Sequence, residues 1–308
     1  MLDAWSDTCS LNHEDLAKKI HRDGLDILFE MSGHTAYNRL AVFALKPAPI
    51  QCSYLGYPGT TGLRTIDYRL TDATADPFGE TDHLHTEKLI RLKGCGWCYE
   101  PDRDAPNIQP PPMLAKGYVT FGCFNNMAKL NDALFDTWAE ILQKVPGSHL
   151  RLKARTLTDA PFKKELADRF ALAGISEDRL EFFGHTQGIR DHLEHYHSVD
   201  VALDSFPYHG TTTTCEALWM GCPVVSQAGK VHVSRVGVSL LTTVGLSELI
   251  CGNRNEYIAK AVELASDSDR LSTFRSGMRE RLKASPLMDA SAFSRDFEFA
   301  VTEMAAAR

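Results

Sequence analysis

Residues Val199–Pro223 read VDVALDSFPYHGTTTTCEALWMGCP. A short apolar run ends at Leu203, as a strand buried on both faces does. A Pro-Tyr-His-Gly turn follows, and residues 213–220 are spaced as a helix. Residues 223–226 form the next apolar run. Strand, turn, helix and strand in this order make the repeating unit of a parallel sheet covered by helices. Such sheets bind ligands beyond the carboxyl ends of their strands, where the strand order reverses.

The same stretch carries chemistry. Thr211, Thr212, Thr213 and Thr214 open the helix. A helix start presents unpaired N–H groups and the positive end of the helix dipole, which favour a phosphate. The hydroxyls add donors, and Gly210 lets a ligand approach the backbone closely. Glu216, one turn in, can accept hydrogen bonds from a ribose diol. An ordinary N-cap needs only one threonine. Four at the end of a strand point to a nucleotide-diphosphate site.

Outward from this stretch the alternation persists. Residues 118–124, 150–153, 180–183 and 201–203 read as strands, and 132–145, 161–172, 189–196 and 234–244 as helices. Three more helical stretches close the chain. Upstream, 27–31, 51–55, 68–71 and 89–92 read as strands and 38–45 as a helix. Five prolines lie between 101 and 112. Proline fixes φ and donates no hydrogen bond, so the run reads as an extended linker. The expected organisation is therefore residues 1–110 as one α/β domain with its linker. Residues 111–308 form a second one, closed by the C-terminal helices.

Composition excludes several classes. The chain has 308 residues, 44% hydrophobic and 24% charged, with a net charge of −7. That is ordinary for a globular protein and unlike a nucleic-acid binder, which carries a basic face. No apolar run is long enough to span a membrane, and the first residues lack a secretory h-region, so the expected compartment is the cytoplasm. Of eight cysteines, only Cys95 and Cys98 are close. One such pair cannot complete a zinc site, and the rest read as buried thiols.

Other segments are weaker signals. In VTFGCFNNMAKLND (119–132), a strand ends in Asn125 and Asn126, and Lys129 follows, placed to neutralise a phosphate at the same switch point. His192, His195 and His197 share one helix, with His185 just before it. No carboxylate or cysteine at ligand spacing completes a metal site there, so no metal is expected. SGHT (32–35) and SYLGYPGTTG (53–62) are post-strand loops, and His34 is placed to touch a ligand. The triplets Asp102-Arg103-Asp104 and Asp267-Ser268-Asp269 read as a linker turn and a helix cap.

Taken together, GHTAYNRLAVFALKPAPIQ, LGYPGTTG, IDYRLTDATADP, TFGCFNNMAKL, LDSFPYHGTTTTCEALWMGCPVV and SRVGVSLLTTVGL resemble, in this order, the catalytic region of the O-GlcNAc transferase and SPINDLY family. The resemblance leans toward SPINDLY and its bacterial relatives. It implies a GT-B fold of two Rossmann-like domains and an inverting, metal-independent glycosyltransferase that modifies Ser or Thr of proteins. It places the family's catalytically important lysine on Lys129 and the histidine near the nucleotide on His192. The diphosphate-binding segment falls on Gly210, Thr211, Thr212 and Thr213, and the ribose carboxylate on Glu216. Leu55, Gly56 and Pro58 fall on the sugar-pocket loop, beside His34.

Two positions depart from animal members. Asn126, also on the donor side, stands where they carry glutamine, and Ile189 where they carry a lysine near the nucleotide. The donor implied is UDP-GlcNAc, with GDP-fucose as the alternative; no cofactor is implied, and the partner is a protein acceptor. The family's tetratricopeptide repeats and Gly-Asn-His segment have no counterpart here. The expectation is a fragment with an incomplete first domain that binds donor weakly and transfers poorly. A nucleotide-sugar-binding remnant is the competing class.

Overall fold

The computed structural model describes residues 4–307. In chain order the elements are α1 (His13–Asp23), β1 (Ile27–Glu30), α2 (Leu40–Ala44), β2 (Ile50–Ser53), β3 (Tyr68–Asp72), β4 (Lys88–Leu92), α3 (Met113–Lys116), β5 (Thr120–Cys123), α4 (Asp132–Lys144), β6 (His149–Lys153), α5 (Ala160–Leu172), β7 (Leu180–Phe183), α6 (Ile189–Glu194), β8 (Val201–Leu203), α7 (Thr212–Trp219), β9 (Val224–Gln227), α8 (Val236–Thr243), β10 (Ile250–Cys251), α9 (Arg254–Ala265), α10 (Ser268–Lys283) and α11 (Ala290–Ala306). They divide into two compact units. The first runs to Trp97 and takes back the chain from Ser291, and the second is Cys98–Ala290.

The first unit is a parallel sheet in the order β1-β2-β3-β4. Alternation along each strand sends Ile50, Cys52, Leu70 and Leu92 to one face. There they pack with Ala300 and Met304 of α11, and with Phe293, Phe297 and Val301. The opposite face carries Glu30, Gln51, Arg69 and Thr71, all buried.

The second unit is a six-stranded parallel sheet in the order β10-β9-β8-β5-β6-β7. Numbered from β5, that is the 3-2-1-4-5-6 order of a nucleotide-binding Rossmann sheet. The reversal falls between β5 and β8, which pair through Phe121↔Val201 and Gly122↔Ala202. The loops after these two strands therefore face one another.

The observed division differs from the sequence expectation in two places. The proline run is no free linker: it is part of the second unit. Arg279 donates to the Pro106 carbonyl, and His197 bonds the Asn107 carbonyl at 2.9 Å. Pro106, which has no N–H to donate, is thus held through its carbonyl. The last helix, expected to close the second domain, covers the first sheet instead. Its apolar stripe packs on the apolar face of β2–β4. Asp267 caps α10, accepting from Arg270 N at 2.9 Å, as expected. No helix among the described residues is long and apolar enough to cross a membrane.

Candidate active site at the strand-order reversal

The loop after β5 and the loop after β8 are tied together by the side chains of Lys129 and Asn131. Asn126 caps a 3-10 turn, accepting from Ala128 N at 3.0 Å, and so places Lys129 at the end of that turn. Lys129 Nζ donates to the His209 carbonyl at 2.8 Å and lies 4.3 Å from the centre of the Tyr208 ring. Burial pulls its pKa below the usual lysine value, with Asp204 pulling the other way. An arriving phosphate would favour the charged form in the same way. Asn131 Nδ2 donates to the Phe206 carbonyl at 2.8 Å.

Beneath them lies a buried polar frame. Asp204 Oδ1 accepts from Gly210 N at 2.8 Å and from Asn125 Nδ2 at 3.3 Å, and Asp204 Oδ2 accepts from Ser226 Oγ at 2.8 Å. Asn125 Nδ2 also donates to Ser205 Oγ at 2.8 Å, and its Oδ1 accepts from the Thr213 hydroxyl. Gly237 N donates to His209 Nδ1 at 3.0 Å, so that ring keeps its proton on Nε2, which bonds the Gln227 carbonyl at 2.9 Å. Burial lowers the His209 pKa, which agrees with a neutral ring.

Gly210 sits where nothing larger fits. A Cβ there would lie 2.3 Å from Thr213 Oγ1 and 2.6 Å from Asn125 Oδ1. The helix that follows begins at Thr212, with Thr211 as its cap residue. Thr214 Oγ1 turns back to the Gly210 carbonyl at 3.1 Å, while the Thr212 side chain is exposed. The glycine expected to admit a ligand to the backbone instead makes room for the Asn125 and Thr213 side chains, and the unpaired N–H groups of the first turn remain for an anion.

A second chain of groups extends to the side. Lys153 Nζ lies 2.7 Å from His192 Nδ1, and His192 Nε2 lies 3.0 Å from Glu216 Oε2. An ammonium only donates, so Nδ1 accepts and the proton sits on Nε2, pointing at Glu216. His192 also forms part of the wall of a cleft of about 570 Å³ over the ends of β5, β6 and β7. Phe124, Asn126, Lys153, Thr156, Gln187 and Ile189 are among its other lining residues. That volume falls in the range that holds small ligands.

Of the positions singled out in the sequence, Lys129, Gly210 and Thr213 meet in one network, and His192 and Glu216 in another. Asn126, Thr211 and Thr212 border them. Of the histidine group, His185 and His192 line the same cleft, and the other two turn elsewhere. His197 bonds the Asn107 carbonyl, and His195 packs against Phe183 at 4.8 Å. His34, Leu55, Gly56 and Pro58 gather in the first unit, on the loops after β1 and β2. His34 Nε2 bonds the Thr60 carbonyl at 3.2 Å and meets the Tyr57 ring edge-on at 5.1 Å. Leu55 is half exposed with φ of 69°. Sequence reasoning noted Asn125 only as the polar end of a strand and missed Lys153 and Asp204. The available signal was polar residues closing apolar strands at the end where parallel sheets bind ligands.

Comparisons with known proteins bear on the family and the fold. The family model described as glycosyl transferase family 41 matches residues 6–95 and 112–297. The probable UDP-N-acetylglucosamine–peptide N-acetylglucosaminyltransferase SPINDLY of Eustoma exaltatum subsp. russellianum is 42% identical over 97% of this chain and 33% of its own length. The chain thus spans about a third of the length of the curated relatives it matches. An O-GlcNAc transferase of Thermobaculum terrenum, solved as a lysine-to-methionine mutant, superposes with a TM-score of 0.92 at 36% identity. It is covered over 98% of this chain and 57% of its own. Anabaena HepE, solved with UDP and glucose, shares the fold at a TM-score of 0.62 and 16% identity, over 94% of this chain and 81% of its own. The two parallel-sheet units are thus of the GT-B type.

Proposed function

The chain belongs to glycosyl transferase family 41, and from that membership we propose that it binds UDP-GlcNAc and moves GlcNAc to Ser or Thr hydroxyls of proteins. One observation carries the reading: Lys129 is bonded to the His209 carbonyl, immediately before Gly210 and the threonine-rich start of α7. A cation and the N–H groups of a helix start meet at the reversal of strand order. That is the arrangement a diphosphate needs. The names of the relatives support GlcNAc as the sugar.

In this reading the acceptor oxygen attacks the anomeric carbon from the face opposite the diphosphate, and the hydroxyl proton passes to water. The bond from that carbon to the phosphate oxygen breaks, and its electrons pass to the leaving nucleotide. Lys129 and the first turn of α7 stabilise the charge that develops there. Glu216, its partner fixed by His192, holds the ribose. Leu55, Gly56 and Pro58, with His34, serve the sugar. We place the protein in the cytoplasm, where thiols such as its six buried cysteines stay reduced.

The cleft is large enough for a purine, and apolar Ile189 puts no charge on its wall. GDP-fucose is therefore the second reading. Calorimetric titration of the chain with UDP and with GDP separates the two. UDP should bind, and Lys129→Ala should weaken it about ten- to a hundredfold, the worth of a hydrogen bond to a charged group. Binding of GDP alone would move the donor to GDP-fucose. Binding of neither would overturn the nucleotide site.

A further inference from the structure

The face of the first sheet turned away from α11 buries charge. Arg69 of β3 is 2% exposed, and Glu30 and Glu87 are each 3% exposed. Each holds one of the two glycine-bearing loops. Glu30 Oε1 accepts from Ser32 N and Gly33 N, both at 2.8 Å. Arg69 Nη2 donates to the Tyr57 carbonyl at 2.9 Å, in the middle of the loop 54–62. Glu87 grips the far end of that loop. It accepts from Thr60 Oγ1 and Thr61 N, both at 2.7 Å, and from the Thr61 hydroxyl. Burial would raise the Glu87 pKa, but these bonds outweigh it and hold it below the usual value.

The two loops also interlock. A Cβ on Gly33 would lie 2.1 Å from Tyr57 Cβ, and one on Gly56 would lie 1.7 Å from the Met31 carbonyl oxygen. Leu55, between these contacts, is held in the left-handed region. Buried ions are a poor source of stability, because apolar groups of the same shape serve as well or better. They are a good way to fix one path for a chain that has few apolar side chains to pack. Nε and Nη1 of Arg69 lack a hydrogen-bond partner, so this layer is not optimised for stability.

We propose that Arg69 and Glu87 are positioning residues that set the path of the 54–62 loop and through it the contacts the loop makes with the sugar of the donor. The sugar role of the loop rests on the reading given above; its anchoring does not. The test compares Glu87→Gln, Thr61→Val and Thr61→Ser in the full chain, with Arg69→Met as the harsher variant. Amide hydrogen exchange is read over residues 55–62 and over β1–β4, and the affinities for UDP and UDP-GlcNAc are measured side by side.

Glu87→Gln and Thr61→Val should speed exchange in 55–62 by about tenfold, one or two hydrogen bonds' worth. The strands should stay protected. UDP affinity should hold while the gain from the sugar falls severalfold. Thr61→Ser, which keeps the hydroxyl, should behave as wild type. Unchanged loop exchange overturns the proposal. So does equal loosening of the strands, or a sugar contribution that is absent or unmoved. If the wild type binds neither UDP nor UDP-GlcNAc, the functional reading fails, and the exchange data alone decide whether Arg69 and Glu87 hold the loop.

Discussion

Gly210 shows how one residue joins structure to binding. Its N–H is fixed by Asp204, its carbonyl takes the Thr214 hydroxyl, and its missing side chain leaves room for the Thr213–Asn125 bond. Gly210→Ala must push one of those groups away. The expected cost is about 1–3 kcal/mol, the usual range for overpacking a tight site, together with loss of UDP binding. Urea unfolding and calorimetry read the two effects. Full stability with wild-type binding would show that the frame tolerates a methyl group. Such a frame is only half visible in a sequence. Gly210 and the threonines stand out because glycine and repeated hydroxyls before a helix are unusual. Asn125 and Asp204 look like ordinary loop polars until the fold brings residues 79 positions apart within bonding distance.

At the scale of elements, the strands were legible because parallel strands buried on both faces read as short apolar runs. Three elements were not, of which α3 is a single turn, Met113–Lys116. β10 has only two residues, Ile250 and Cys251, too few for any period to show. The amphipathic α1 buries only Leu16 and Ala17, although Asn12 caps it by accepting from Asp15 N. The expected helix 189–196 stops at Glu194 and tightens into a 3-10 turn, His195–Ser198. That turn carries a pH-dependent term. Burial, then Lys153 and Arg151, lowers the His195 pKa from 6.5 to about 4. Above 6.5 the ring is neutral whether the chain is folded or not. Between 6.5 and about 4 the unfolded chain takes up a proton that the folded chain refuses, so stability falls as pH falls. His195→Leu removes that term. Thermal melts across this window should show the variant gaining on wild type toward acid. A constant difference would show that His195 titrates normally.

For the whole molecule, the least legible feature was which sheet the last helix covers. Its apolar stripe is plain in the sequence, but a stripe says only that some face will bury it. The partner is set by fit: Ala300 and Met304 meet Ile50, Cys52, Leu70 and Leu92, more than 200 residues earlier in the chain. The first unit's core is therefore completed from both ends of the chain. Asp296 reinforces the docking by accepting from Lys93 N and Gly94 N, at the end of β4. Met304 is 1% exposed, so Met304→Ala leaves a cavity in that core and should cost about 2–5 kcal/mol. The loss should be read in the amides of β1–β4, whose exchange should quicken while the UDP binding proposed for the second unit persists. If β5–β10 lost protection and β1–β4 kept theirs, the helix would belong to the other sheet. The organisation expected from the sequence, with the C-terminal helices all closing the second domain, would then be restored.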